Sequence, residues 1–170
     1  MANWVIEALG KDHIRDAFDC GKPPLNEFLR SHAGQYERKE IGRTFVAVAA
    51  GSPVAVGYYT LAAGSVEPAR LPVKHAKKLP RHPIGVVLLG RLAVDRSAQG
   101  KHLGGDLLID ASIRCVRTAN QVGVFALTTS AIDDEAARFY GRFGFLPFVD
   151  NPHHLFLPVE TLRKLHGSGA

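Results

Sequence analysis

The chain has 170 residues, 46% of them hydrophobic and 22% charged, with a formal net charge of +5. That length suits one domain with a real core, and no apolar run approaches the ~20 residues of a membrane span. Met1-Ala2-Asn3-Trp4 offers neither a basic n-region nor an apolar h-region, so no signal peptide is expected and the chain reads as cytoplasmic, with Cys20 and Cys115 as reduced thiols.

Residues 4–9 read as a first strand. A helix is expected over 24–37, with Pro23 and Pro24 at its start, where a missing N–H is harmless. Leu25, Phe28, Leu29, His32 and Tyr36 would form its buried stripe. Strands at 44–50 and 54–63 meet at Gly51-Ser52-Pro53, a hairpin signal. Residues 64–84 are loop-like, interrupted by prolines at 68, 72, 80 and 83, with a short helix around 74–78. A central strand follows at 86–94, a long helix at 103–120 and a buried strand at 123–129. The helix at 135–143 places Ala136, Phe139, Tyr140 and Phe143 on one face. Asp133 or Asp134 can cap it, and Gly144 ends it at a position suited to a left-handed cap. Strands at 145–148 and 155–158 close the sheet, 159–165 forms a last helical turn, and 167–170 reads as a disordered tail. This gives a single mixed α/β domain over 1–166. His75, His82, His153 and His154 match no zinc spacing, so no metal is expected.

Between Glu67 and Asp95 there is no acidic residue, yet Arg70, Lys74, Lys77, Lys78, Arg81 and Arg91 all occur, with His75 and His82 among them. Such a segment draws polyanions by long-range field and counterion release. A solvated loop kept soluble by its lysines is the other arrangement. No aromatic residue interleaves the segment, so base stacking is not expected there.

The stretch from Val86 to Ala111 reads VVLLGRLAVDRSAQGKHLGGDLLIDA. A strand that feeds a glycine-bearing turn and then a helix N-terminus is an anion site, because unpaired backbone N–H groups converge and the helix dipole favours negative charge. A Walker A loop is excluded: no glycine stands five residues before Gly100, and no hydroxyl follows Lys101. The dinucleotide fingerprint also fails, because Gly100, Gly104 and Gly105 have the wrong spacing. The run Gln99-Gly100-Lys101-His102-Leu103-Gly104 instead resembles the Q/R-x-x-G-x-G/A signature of the GCN5-related N-acetyltransferases, with His102 in place of the central glycine. Glu135-Ala136-Ala137-Arg138-Phe139-Tyr140-Gly141-Arg142-Phe143-Gly144-Phe145 is similar to the late helix and strand of the same family. More narrowly, Phe18-Asp19-Cys20-Gly21, Leu25-Asn26-Glu27-Phe28-Leu29, Gly42-Arg43-Thr44-Phe45-Val46, Leu89-Gly90-Arg91-Leu92-Ala93-Val94-Asp95 and Leu155-Phe156-Leu157-Pro158 resemble the acetyltransferase toxins of bacterial type II toxin–antitoxin systems.

The resemblance implies the GNAT fold, a twisted, mostly antiparallel mixed sheet flanked by helices, with splayed central strands. It implies acetyl-CoA as co-substrate. Leu92, Ala93 and Val94 would pair with its pantetheine arm, and Gln99, Gly100, Lys101, His102, Leu103, Gly104 and Gly105 would hold its pyrophosphate. His102 would present its N–H with its side chain outward. Tyr140 would be the general acid, its phenol protonating the departing thiolate. The activity implied is acetylation of the α-amino group of aminoacyl-tRNA, which arrests translation. A homodimer and a small ribbon-helix-helix antitoxin are implied with it. Arg91 is assigned to substrate or antitoxin contact, with a salt bridge to Asp95 or Glu135 as the rival arrangement, and Lys74, Lys77 and Lys78 to the RNA backbone.

One absence has chemical content. Residues 86–94 carry no Glu or Asp, where many lysine-modifying relatives have a general base. A lysine acceptor, with a pKa near ~10.4, must shed a proton first; an α-amine at about 8, lowered further by esterification of the carboxyl, is largely neutral already. The gap favours an α-amino acceptor, although water or a remote carboxylate such as Asp133 could serve. The residues leave open an acetyltransferase of small amines or protein N-termini, and a non-catalytic acyl-CoA-binding module.

Overall fold

The computed structural model describes residues 3–166; the tail expected at 167–170 lies outside the described residues. Two compact units divide the chain, one of Met1–Ala62 with Gly90–Ala111 and one of Ala63–Leu89 with Ser112–Ala170.

The first unit begins with strand β1 (Trp4–Ala8). A helical stretch follows, made of α1 (Pro23–Glu27), a π turn (Phe28–His32) and α2 (Ala33–Arg38). Pro23 and Pro24 start it, as the sequence predicts. The wide π turn admits an extra residue, so the buried stripe shifts: Ala33 is fully buried, and His32, expected inside, is exposed. Strand β2 (Arg43–Ala49) pairs antiparallel with β1 and with β3 (Ala55–Val66). Phe18, Phe28, Leu29, Ala33, Val46, Ala55, Tyr58 and Ala93 form the core of this unit. Each large apolar side chain buried there contributes roughly 1.5–3 kcal/mol. The buried Tyr58 hydroxyl is satisfied by donating to the Leu25 carbonyl at 2.6 Å. Gly57 lets the long helix α4 (Leu103–Ala119) settle onto β3, since a Cβ there would stand 3.1 Å from both Leu103 Cδ2 and Leu107 Cδ1.

In the second unit the sequence underestimates β3. It runs to Val66, because Gly64 lies against Val86 and Leu88 of β4 (Ile84–Val94), where a Cβ would come within 3.3 Å of Val86 Cγ2. The short helix α3 (Val73–Ala76) precedes β4. Strand β5 (Ala126–Ser130) starts three residues later than expected and is followed by α5 (Asp134–Arg142), β6 (Leu146–Phe148), β7 (Asn151–Pro158) and α6 (Val159–His166). Its core gathers Val66, Leu71, Val86, Ala126, Phe148 and Phe156.

The strands make one sheet in the order β1-β2-β3-β4-β5-β7-β6. β4 and β5 pair in parallel, and β7 runs antiparallel to both β5 and β6. This is the mixed, mostly antiparallel sheet flanked by helices that the sequence implies. Among the described residues no helix is long and apolar enough to cross a membrane, and no cluster of side chains could hold a metal ion.

Candidate active site

Parallel pairing of β4 with β5 closes at Leu89 opposite Thr129, while β4 runs on to Val94. The last residues of β4 carry Leu92 and Val94 half-buried, with Ala93 inside the first unit's core. Asp95 then caps a 3₁₀ turn (Arg96–Ala98): its Oδ2 accepts from the Ser97 amide at 3.0 Å and from the Ser97 hydroxyl at 2.7 Å. The Gln99 side-chain amide donates to the carbonyls of Val94 at 2.9 Å and Cys20 at 3.1 Å. Gln99 is thereby spent on fixing the turn, and what it offers a ligand is backbone.

Two residues of this turn are left-handed, Gly100 at φ 77° and His102 at φ 65°. That conformation turns successive amides toward one side, and it explains why the related signature has a glycine where this chain has His102. The Lys101 and His102 side chains are both exposed. Leu103, 1% exposed, anchors the start of α4. The helical ladder begins with the Asp106 amide donating to the His102 carbonyl at 3.2 Å. The amides of Leu103, Gly104 and Gly105 therefore lie ahead of the ladder, at the positive end of a long helix. This geometry fits a pyrophosphate.

In the second unit, Asp133 Oδ1 caps α5 by accepting from the Ala136 amide at 2.8 Å, and Gly144 closes the helix at φ 97°. Ala136, Phe139, Tyr140 and Phe143 turn away from solvent, as their spacing predicts. Tyr140 is 6% exposed, with the rings of Phe139 and Phe145 at 5.3 and 5.4 Å. The Thr129 side chain acts on its phenol, and the Thr129 hydroxyl itself donates to the Leu89 carbonyl at 2.8 Å. Burial pushes the phenol up to about 12, against the pull of Thr129, so it holds its proton throughout the physiological range. Thr129, one of the last β5 residues paired with β4, gives no signal in the sequence.

Arg91 is not held by Asp95, whose carboxylate is bonded by Ser97 and by the Asp19 amide. Its guanidinium lies 3.7 Å from the centroid of Phe28 and 5.5 Å from that of Tyr36, a cation–π seat that leaves its N–H edge for a ligand. The basic segment divides into two kinds of residue. Lys74, Lys77 and Lys78 are exposed and, among the described residues, unpaired by any carboxylate. Arg70, read with them as a polyanion contact, is committed elsewhere: it bonds Asp150 at 2.8 Å, meets His154 Nδ1 at 2.6 Å and lies over the Phe148 ring. Sequence separation hides that clamp, because its partners stand about eighty positions downstream. β4 presents no Asp or Glu, and Asp133 is occupied as a cap.

Residues 40–147 match the acetyltransferase (GNAT) domain. Over 151 residues the chain is 40% identical to a tRNA-acetylating toxin of Mycobacterium tuberculosis (strain ATCC 25618 / H37Rv), spanning 89% of each protein. The solved structure of AtaT complexed with acetyl-methionyl-tRNAfMet superposes with a TM-score of 0.90 at 34% identity, covering 96% of this chain and 99% of that one. A tyrosine-to-phenylalanine variant of AtaT bound to the C-terminus of the antitoxin AtaR and acetyl-CoA gives 0.83 at 31% identity, covering 96% and 98%. The chain belongs to the GNAT family of acetyltransferases, which draw their acetyl group from acetyl-CoA, and within it to the toxin subfamily.

Proposed function

We propose that this protein transfers the acetyl group of acetyl-CoA to the α-amino group of aminoacyl-tRNA and so blocks translation. The observation that carries the reading is its likeness, along nearly the whole chain, to a toxin solved with acetyl-methionyl-tRNAfMet. The missing carboxylate on β4 and the exposed lysines of the 74–78 segment agree with it.

In this reading both units serve one catalytic domain over 1–166. The main chain of Leu92, Ala93 and Val94 pairs with the pantetheine arm along the edge that β5 leaves free. The amides of Gly100, Lys101, His102, Leu103, Gly104 and Gly105 hold the pyrophosphate, with Gln99 shaping the turn. The neutral amine attacks the thioester carbon, a C–N bond forms and the C–S bond breaks. Tyr140 gives its phenolic proton to the leaving sulfur, and the proton shed by the new amide nitrogen restores the phenol. No general base is needed, because esterification keeps an α-amine largely unprotonated near neutral pH. Arg91 contacts the aminoacyl end or the antitoxin, and Lys74, Lys77 and Lys78 contact the RNA backbone. The protein acts in the cytoplasm as a homodimer, neutralised by a ribbon-helix-helix antitoxin.

Radiolabelled acetyl-CoA incubated with the protein and a bulk charged-tRNA pool should yield N-acetylated aminoacyl-tRNA, with no label on deacylated tRNA. Label found only on small amines or protein N-termini would overturn the acceptor, and label found nowhere would leave an acyl-CoA-binding module.

A further inference from the structure

The segment before α1 touches the candidate cofactor turn at several points. The Asp19 amide donates to Asp95 Oδ1 at 2.8 Å, and the Arg96 amide returns a bond to the Asp19 carbonyl at 2.9 Å. Gln99 Nε2 donates to the Cys20 carbonyl at 3.1 Å, and Arg96 Nε stands 3.6 Å from Asp19 Oδ2. The segment is itself tied down. Asp19 Oδ1 accepts from the Gly21 amide at 2.9 Å and from Asn26 Nδ2 at 3.0 Å, while Asn26 Oδ1 accepts from the Cys20 amide at 2.8 Å. Asn26 is a buried polar residue at the start of a helical stretch, and both ends of its amide are used here. Gly21 sits at φ 93°, and a Cβ there would lie 3.5 Å from Arg96 Nη2.

We propose that Asp19, Asn26 and Asp95 are positioning residues for cofactor binding: they lock the turn at 95–99 and through it set where the amides of 100–105 stand to meet the pyrophosphate, without touching the cofactor themselves. The inference rests on reading 100–105 as the cofactor loop. Amides converging on one point repel one another when no anion is present, so they keep their places only if the chain leading into them is held, as the bonds of the Arg96 amide to the Asp19 carbonyl and of the Ser97 amide to Asp95 Oδ2 hold it here. Both carboxylates stay ionised. The Gly21 amide and Asn26 hold Asp19 below the usual carboxylate range; at Asp95, burial works against ionisation but the bonds from Ser97 and the Asp19 amide outweigh it. A loop fixed before binding loses less freedom on binding, which is how pre-organisation raises affinity. The bracing explains why Asp19, Gly21 and Asn26 accompany the phosphate loop in one chain although they lie far from it in sequence.

The test compares acetyl-CoA with S-acetylpantetheine, which lacks the pyrophosphate. In Asp19→Asn and Asp95→Ala, KM for acetyl-CoA should rise about tenfold or more, the scale of losing a hydrogen bond to a charged group. The kcat and the KM for aminoacyl-tRNA should stay within about twofold of wild type, as should kcat/KM with S-acetylpantetheine. An unchanged KM for acetyl-CoA overturns the proposal. So does an equal loss with both donors, which would mean general damage to the fold. Gly21→Ala, which strains the backbone at φ 93° without removing a carboxylate, gives a second measurement where Asp95→Ala fails to fold; it should raise the same KM by a smaller factor. A wild type that uses both donors with one KM would refute the cofactor-loop reading itself, an outcome distinct from variants that match a discriminating wild type.

Discussion

The turn at 95–105 and the basic segment at 67–83 are both suited to phosphate, and they are built in opposite ways. The turn offers backbone donors, held by left-handed residues at Gly100 and His102, by the Gln99 amide and by the buried Leu103. The segment offers side-chain cations on two short helical turns, with Lys74, Lys77 and Lys78 in solvent and Arg70 pinning the base to Asp150 and His154. His75, among those lysines, is held below its usual range by partial burial and by Lys74 and Lys78, so it adds little positive charge near neutral pH. Fixed amides recognise one phosphate group at one place, and they need geometry. Mobile ammonium groups recognise a repeating polyanion in many registers, and they need only charge. A small cofactor and a large nucleic acid are what these two constructions suit.

Tyr140→Phe is the largest perturbation that leaves both regions standing. It removes one hydroxyl from a buried ring, and kcat should fall by about 10²–10⁴-fold, the range for a positioned general acid. Binding of acetyl-CoA and of tRNA should stay within about twofold, measured by calorimetry and filter retention. The wild-type pH profile carries the same information. Because burial raises the phenol from 10.0 to about 12, its acid form survives to high pH and should produce no alkaline fall below that value. The rate should rise only with loss of the acceptor's ammonium proton. A fall in kcat near pH 10 would show a phenol with an ordinary pKa and remove the argument from burial.

How much of this was legible in the sequence follows the same division. The turn was readable because its constraint is local: glycines, a helix start and a preceding strand stand within a dozen residues, and their order is the signal. Tyr140 was expected from its place after Phe139 in a run that resembles the family's late helix, whereas helical spacing alone predicts only that it is buried. The residues that hold these groups were not legible. Asp95 meets Asp19 and Gln99 meets Cys20 across more than seventy positions, and Thr129 reaches Leu89 across forty. Hydrophobic periodicity carries no information about such pairings. The π turn escaped for another reason: residues 24–37 fit an ordinary helical stripe, and only the packed structure shows Ala33 where His32 was expected. Among the cations, composition could not separate Arg70, which is internally paired, from the exposed lysines beside it.

Two variants probe the two regions separately. Gly104→Leu puts a side chain beside the first-turn amides of α4 and should raise the Kd for acetyl-CoA by about 10–100-fold, as loss of one or two bonds to a charged phosphate would, with tRNA binding unchanged. Replacing Lys74, Lys77 and Lys78 together by Gln should weaken tRNA binding at physiological salt and lower the slope of log affinity against log salt by about 2 to 3, close to one per lost phosphate contact. The Kd for acetyl-CoA should not move. If the triple variant keeps the wild-type slope, those lysines serve solubility and the acceptor binds elsewhere.

His102→Gly should have the smallest effect and is the most pointed test of the turn. A left-handed conformation costs a residue with a Cβ about 1–2 kcal/mol, and glycine escapes that cost. Glycine also gains about 0.4–1 kcal/mol of entropy in the unfolded chain, which opposes the gain. Stability should therefore rise by about 0 to 1.6 kcal/mol, a shift of a few degrees at most in Tm. The Kd for acetyl-CoA should stay within about threefold, because what the turn contributes at this position is an amide and the imidazole stands in solvent. His102→Val, which keeps a Cβ and adds branching there, should lower Tm and weaken binding together. A large loss of affinity in His102→Gly with Tm unchanged would make the imidazole itself a phosphate ligand, and the loop would then work partly by the side-chain chemistry of the basic segment.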